Sequence, residues 1–423
     1  MELLIYLILF LLVLIVSSTT NKLLPFLPLP LVQILLGIVI GLFLPNTDFH
    51  LNTELFLALV IGPLLFRESE EADITAILKH WRIIVYLIFP VIFISTLSLG
   101  GLAHLLWLSL PLAACLAVGA ALGPTDLVAF ASLSERFSFP KRVSNILKGE
   151  GLLNDASGLV AFQVALTAWT TGAFSLGQAS SSLIFSILGG FLIGFLTAMT
   201  NRFLHSFLLS VRATDIASEL LLELSLPLVT FFLAEEVHVS GIIAVVVAGI
   251  LKASRFKKIT LLEAQVDTVT ETVWHTVNFM LNGSVFVILG MELEMIAEPI
   301  LTNPIYNPLL LLVSLIALTF VLFAIRFVMI YGYYAYRTRR LKKKLNKYMK
   351  DMLLLTFSGV KGTVSIATIL LIPSNLEQEY PLLLFLVAGV TLVSFLTGLV
   401  VLPHLSDEQE ESKDYLMHIA ILN

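Results

Sequence analysis

The sequence predicts an all-α integral membrane protein of about thirteen spans, arranged as two inverted halves that each contain a broken helix. Three observations carry this. Of 423 residues, 58% are hydrophobic and only 13% charged, against ~25% charged in soluble domains, and the mean hydropathy is +0.96. Apolar runs long enough to cross a bilayer recur from end to end. Two of those runs carry helix-breaking sequence at mid-depth, "LGPTD" and "SGVKG". Such breaks are tolerated only where protein or a wet cavity covers the freed backbone groups.

The spans follow in order. Their approximate cores are Leu3–Val16, Leu31–Leu44, Leu51–Phe66, Ile83–Leu99, Leu110–Leu133, Asn145–Thr170 and Leu183–Phe203. Then come Leu220–Ala234, Ser240–Leu251, Thr272–Met295, Leu309–Tyr334, Met352–Ile372 and Pro381–Leu402. The first run has neither a basic leader nor a small-x-small cleavage site, so it reads as a helix and not a signal peptide. The third is short, with Glu68, Glu70 and Glu71 close behind it, and its boundary is the weakest. No segment outside the membrane is long enough to fold alone. The reading is one integral domain, residues 1–403, and a short acidic tail, residues 404–423. Cys115 is the only cysteine, so no intrachain disulfide forms.

Orientation follows from lysine and arginine placement. With the N-terminus outside, the inner segments carry Lys22, then Arg67, Lys79 and Arg82, then Arg136, Lys141, Arg142 and Lys148, and so on to the run "RTRRLKKKLNKYMK" and Lys413. The outer loops contain none. Only Arg326 and Lys361 remain, and both sit inside predicted spans. The expected location is the cell (inner) membrane, multi-pass, with the C-terminus cytoplasmic. The basic run Arg337 to Lys350 reads as an inner-face loop near anionic lipid.

The polar residues inside the spans carry the chemistry, because charge in hydrocarbon costs several kcal/mol and marks an ion or substrate path. They are Thr125 and Asp126 in "GPTDLVAF", Glu150, Asn154 and Asp155 in "KGEGLLNDASGLVAF", Arg326 in "LFAIRFVMIYGY", and Lys361 in "SGVKGTVSIATIL". Glu150 and Asn154, four apart, share a helical face. If spans one to six and eight to thirteen are repeats, the breaks in spans five and twelve correspond and run oppositely, as paired broken helices do in secondary transporters. Asp126 either compensates a helix end or handles the ion. Lys361 either compensates carbonyl ends or titrates. Glu219 and Glu223 read as inner-mouth acids. His104, His205, His238, His275 and His404 read as interfacial.

On these motifs the chain resembles the monovalent cation:proton antiporters, in the bacterial sodium/proton exchanger branch related to the animal exchangers, with the NhaA-like fold. "GPTDLVAF", "PKRVSNILKGEGLLNDASGLV", "VSGIIAVVVAGIL" and "FSGVKGTVSIATIL" match that pattern in order. The resemblance implies that Asp155 binds the cation and carries the proton, with Asn154 in place of the second aspartate of electrogenic relatives. It implies that Thr125 offers an ion ligand beside Asp126 and that Glu150 pairs with Arg326. It also implies a homodimer, in which a core of spans 4–6 and 11–13 moves against a dimerisation domain of spans 1–3 and 7–10. Two positions depart from the pattern. Gly151 stands where a serine is usual, and Lys361 where an arginine is usual; lysine keeps the charge but loses the planar fork.

Physically, antiport needs one site that takes a hard cation or a proton but not both. A partly buried aspartate does this, since desolvation raises its pKa from about 4 toward neutrality and oxygen ligands suit Na⁺ and Li⁺. One cycling carboxylate makes the exchange electroneutral. K⁺/H⁺ antiport on the same fold is the nearest alternative. An intramembrane aspartyl protease using Asp126 and Asp155 lacks its Gly-x-Gly-Asp segment and leaves Arg326 and Lys361 unexplained. A channel would need a filter repeat that is absent, and a non-transporting sensor would need an output domain. No Walker A or other nucleotide motif occurs, so no ATP coupling is expected; the reading is a transporter and not an enzyme, with no nucleotide, nucleic acid or cofactor expected beside the transported ions.

Overall fold

The computed structural model describes residues 2–23, 29–43, 53–72, 74–126, 130, 137–172, 176–211, 215–253, 261–302, 306–340, 342, 345–372, 379–405 and 407–408. Helices stand at all thirteen places expected. The first nine are α1 Glu2–Leu23, α2 Leu29–Phe43, α3 Thr53–Phe56 continuing into α4 Gly62–Glu70, α5 Ile74–Tyr86 continuing into α6 Ile92–Leu106, α7 Leu112–Ala121, α8 Lys141–Thr171 and α9 Leu176–Ser210. Then follow α10 Ile216–Glu236, α11 Gly241–Ala253, α12 Leu261–Thr302, α13 Pro308–Arg340, the pair α14 Met349–Phe357 and α15 Thr363–Ile369, and α16 Tyr380–Leu405. Among the described residues six helical stretches are long and apolar enough to cross a membrane, one of them continuous from Ile77 in α5 to Leu106 in α6.

The irregularities have chemical causes. Proline lacks an N–H and clashes with the preceding turn, and both π turns lie at prolines. Leu57–Ile61 joins α3 to α4 just before Pro63, with the Gly62 amide reaching back five residues to the Leu57 carbonyl. Leu87–Val91 joins α5 to α6 and contains Pro90. The entry to α10 is fixed by a reciprocal cap: the Ser218 amide donates to Asp215 Oδ1 at 2.8 Å and the Asp215 amide to Ser218 Oγ at 3.1 Å.

Small residues set the closest crossings, as they do where helices pack in lipid. A Cβ on Gly290 of α12 would lie 2.9 Å from the Gly37 Cα of α2, and one on Gly119 of α7 would lie 2.8 Å from the Gly100 amide of α6. Around these, Leu99, Ala117, Val118, Leu318 and Val387 form one buried core. Between α5–α6 and α8 on one side and α9 and α11 on the other runs an apolar cleft of about 540 Å³, bordered by Phe89, Phe93, Val164, Ile243 and Val247.

Some boundaries differ from the sequence reading. The fourth crossing starts at Ile74 rather than Ile83, and the tenth runs from Leu261 to Thr302 rather than from Thr272 to Met295. The last helix passes Pro403 and ends at Leu405, since a proline this close to a C-terminus forfeits one peripheral bond. Part of the expected tail is ordered: Phe137–Ser138 and Asp407–Glu408 form a two-residue antiparallel bridge. Residues 409–423 lie outside the described residues.

Candidate functional site: the double break

Both predicted breaks are present. After α7 the chain runs without helix from Gly123 to Asp126, and between α14 and α15 it does so from Gly359 to Gly362. The two stretches cross and bond to each other. The Asp126 amide donates to the Val360 carbonyl at 3.0 Å. Lys361 Nζ donates to the carbonyls of Gly123 and Pro124 at 2.9 and 2.6 Å, and the Lys361 amide to Ser394 Oγ of α16 at 3.1 Å. A side chain on Gly362 would strike the Asp126 carboxylate, 2.5 Å away, so glycine is what lets that carboxylate reach the start of α15. An acid at a helix start is favourable.

The broken backbone makes a long, donating side chain necessary here. Breaking α7 leaves carbonyls without intrahelical donors, and in a buried setting each such group needs a partner. Lys361, 1% exposed, supplies donors to two of them. If the chain exchanges a cation for protons, as the resemblance implies, we expect Lys361→Arg to retain exchange with an unshifted pH profile, and Lys361→Met to lose stability, at about 1–3 kcal/mol per carbonyl left unpaired. The checks are the thermal midpoint in detergent and the pH dependence of exchange. A profile displaced by about a pH unit in the arginine variant would mean that Lys361 carries protons.

Helix α8 presents the second half of the site. Arg326 of α13 forms a two-pronged pair with Glu150, Nη1 to Oε1 at 2.6 Å and Nη2 to Oε2 at 2.7 Å, while its Nε donates to the Leu355 carbonyl at 3.0 Å. This is the geometry for which arginine, not lysine, is suited. Thr125 Oγ1 donates to Glu150 Oε1 at 3.2 Å and accepts from Asn154 Nδ2 at 2.6 Å; the same nitrogen lies 3.3 Å from the Thr125 carbonyl. Glu150, Asn154, Thr125, Asp126 and Arg326 are all buried. Asn154 Oδ1 has no donor among the described residues. Asp155 follows Asn154 on α8, and its side chain lies outside the described residues.

One acid of this region was not singled out by the sequence. Glu68, near the end of α4, is an electrostatic neighbour of Asp126. The signal was in "RESEE": Arg67 is three and four residues from Glu70 and Glu71 and pairs with both, at 3.0 and 2.7 Å, whereas Glu68 sits a third of a turn away and cannot share that face. Glu70 also meets Lys252, which pairs in turn with Glu223 at 2.6 Å. Glu223 accepts from Trp274 Nε1 at 2.9 Å, and Glu219 contacts His205 Nδ1 at 2.8 Å. The two acids expected at an inner mouth are thus tied into side-chain pairs.

Comparison with known proteins places this arrangement. The family described as "sodium/hydrogen exchanger, transmembrane" matches residues 7–406. A "sodium, potassium, lithium and rubidium/H(+) antiporter" of Bacillus pumilus is 35% identical over 412 residues, covering 96% of this chain and 61% of that protein. Its Bacillus subtilis namesake is 35% identical over 400 residues, 93% of this chain and 60% of that protein. The chain thus spans about three-fifths of these relatives' length. The structure of the sodium proton antiporter MjNhaP1 from Methanocaldococcus jannaschii superposes with a TM-score of 0.67 at 19% identity, over 95% of this chain and 96% of that one, and shares the fold. With the family match running through nearly every helix and both breaks, the chain belongs to the sodium/hydrogen exchanger family of membrane transporters.

Proposed function

We propose that the chain exchanges Na⁺ or Li⁺ for H⁺ across the cell membrane, one for one, through competition of cation and proton for Asp155. The observation that carries this is the occupation of Glu150. Both of its oxygens are held by Arg326, so of the two acids on α8 only Asp155 is left to cycle. Asn154 beside it cannot titrate. At low pH the proton holds the aspartate and excludes the cation; at high cation concentration the order reverses. Thr125 and Asp126 stand at the break as further candidate oxygen ligands for Na⁺, and Glu150–Arg326 and Lys361 act as fixed charges that hold the break in shape.

The motion we infer is that of a core, crossings 4–6 and 11–13, against a dimerisation domain, crossings 1–3 and 7–10, in a homodimer with the N-terminus outside and the basic loops on the anionic inner leaflet. The apolar cleft between α8 and α11 supports this reading, since such a seam has no hydrogen bonds to break as two bodies slide.

K⁺ is the second substrate to test. The two Bacillus relatives are named for four alkali cations, and Gly151 removes a hydroxyl from the site, which favours a looser shell. In proteoliposomes loaded with a pH dye, addition of Na⁺ and Li⁺ should each move protons, with K⁺ as the discriminating arm. No response to any cation would overturn the proposal. Electroneutrality has its own check: clamping the membrane potential at zero with a protonophore-free ionophore pair should leave the Na⁺-driven rate unchanged, and a current on a supported membrane would contradict it.

A further inference from the structure

Helix α12 carries two amides that the double break does not use. Asn278 and Asn282 are one turn apart, and the Oδ1 of each is shut off from solvent with no donor among the described residues. A buried acceptor left unpaired calls for an explanation, an ion being one.

Their direction follows from the three faces of α12. Gly283 and Gly290 meet α1 and α2 through Leu14, Gln33 and Gly37. Val277 and Ile288 lie on a second face, packed on a cluster with Phe66 and Leu226. Between the two faces runs a strip of Trp274, Val285, Phe286 and Leu289: Trp274 and Val285 join that same cluster, which also holds Ala367 of α15 and Leu159 of α8, while Phe286 and Leu289 are buried with Ile366 of α15 and Ala388 of α16. Asn278 stands four residues after Trp274 and seven before Val285, and Asn282 four and seven before Phe286 and Leu289, so both lie on this strip. Gln33, whose Nε2 also lacks an acceptor among the described residues, packs at Gly283 on a different face and is not their donor.

Level follows from depth in the apolar runs. Asp155 and Asn282 each stand about ten residues from the start of their runs, Asn145–Thr170 and Thr272–Met295. Both runs are even-numbered crossings and head the same way, so the two residues lie at similar depth, with Asn278 one turn nearer the start of α12. Glu271, exposed and seven residues before Asn278, opens the strip.

We propose that the side-chain oxygens of Asn278 and Asn282 form a staging site for a partly dehydrated monovalent cation on the cytoplasmic side of Asp155. Neutral amide oxygens suit a hard ion, and without a formal charge they release it again, as a path must. The inference rests on the exchange reading and on the inner placement of the α12 start.

The test compares cation KM from the two faces, using everted and right-side-out membrane vesicles with Na⁺ in the bath. Asn278→Leu and Asn282→Leu should each raise the KM for Na⁺ at the cytoplasmic face about fivefold, the loss of one weak ligand, while kcat and the outer-face KM stay within about twofold. Asn282→Asp should lower the cytoplasmic KM, because it adds charge to the same position. Alanine variants replace the leucines if those fail to insert. The inference is overturned by an unchanged cytoplasmic KM, by equal shifts at both faces, or by leucine and aspartate moving KM in the same direction, which is what a packing role would give. If the wild type moves no cation from either face, the exchange reading falls and this inference with it; normal exchange with unmoved KM overturns the staging site alone.

Discussion

Asp155→Asn protein inserts and folds like the wild type and moves no protons when Na⁺ is added. The substitution is close to isosteric, so α8 and its contacts persist: the Asn154–Thr125 bonds and the Glu150–Arg326 pair involve neither Asp155 oxygen. What is lost is the one group that, on the proposed mechanism, both charges and discharges. We expect Na⁺-driven proton flux to fall at least about a hundredfold, equivalent to ~2.7 kcal/mol, with an unchanged elution profile in detergent. The informative control is Glu68→Gln. If the ion is shared between Asp155 and the acids at the break, this variant weakens cation affinity without abolishing flux. Should flux survive in Asp155→Asn and vanish in Glu68→Gln, the carrier is the Glu68–Asp126 neighbourhood and the proposed role of Asp155 is wrong.

Breaking the Glu150–Arg326 pair carries the largest expected cost in stability. Removing one partner leaves the other charge buried and uncompensated, at roughly 3–5 kcal/mol. Glu150→Gln strands the guanidinium, and Arg326→Ala strands the carboxylate and also frees the Leu355 carbonyl. Both should lower the thermal midpoint and the yield. The double variant should lose clearly less than the sum, because residues in direct contact couple. The comparison of four midpoints, for wild type, the two singles and the double, checks this. Fully additive losses would show that the two residues stabilise the fold independently of each other.

The crossings were legible because an apolar run of spanning length admits few alternatives, and the breaks because Gly-Pro and paired glycines interrupt such a run visibly. The Glu150–Arg326 partnership came from resemblance alone, 176 residues apart along the chain; spacing carries no trace of it. Helix limits were read poorly where polar residues ride on a helix. Lys79, His80 and Arg82 lie within α5, which opens the fourth crossing, yet by hydropathy they mark a loop. Glu68 was hidden by its neighbours, since three acids in four residues read as one solvated cluster until Arg67 and Lys252 claim Glu70 and leave Glu68 on another face. Asn278 and Asn282 gave no warning either: two isolated amides in an apolar run become notable only when their oxygens are found without donors.

The lysine that bridges the two breaks has a mechanical consequence. Lys361 grips Gly123 and Pro124 while the Asp126 amide grips Val360, so strands from the two halves of the chain are riveted at their crossing. Prising them apart would strand several backbone groups at once in a buried region. The crossing is therefore tied at several points, and on the proposed exchange mechanism a cation lodged there would travel as cargo on a lift rather than through a door. Gating then falls to the walls of the shaft. Amide hydrogen exchange should accordingly be slowest at Asp126 and Lys361 among the non-helical residues, and remain so whichever way the carrier faces.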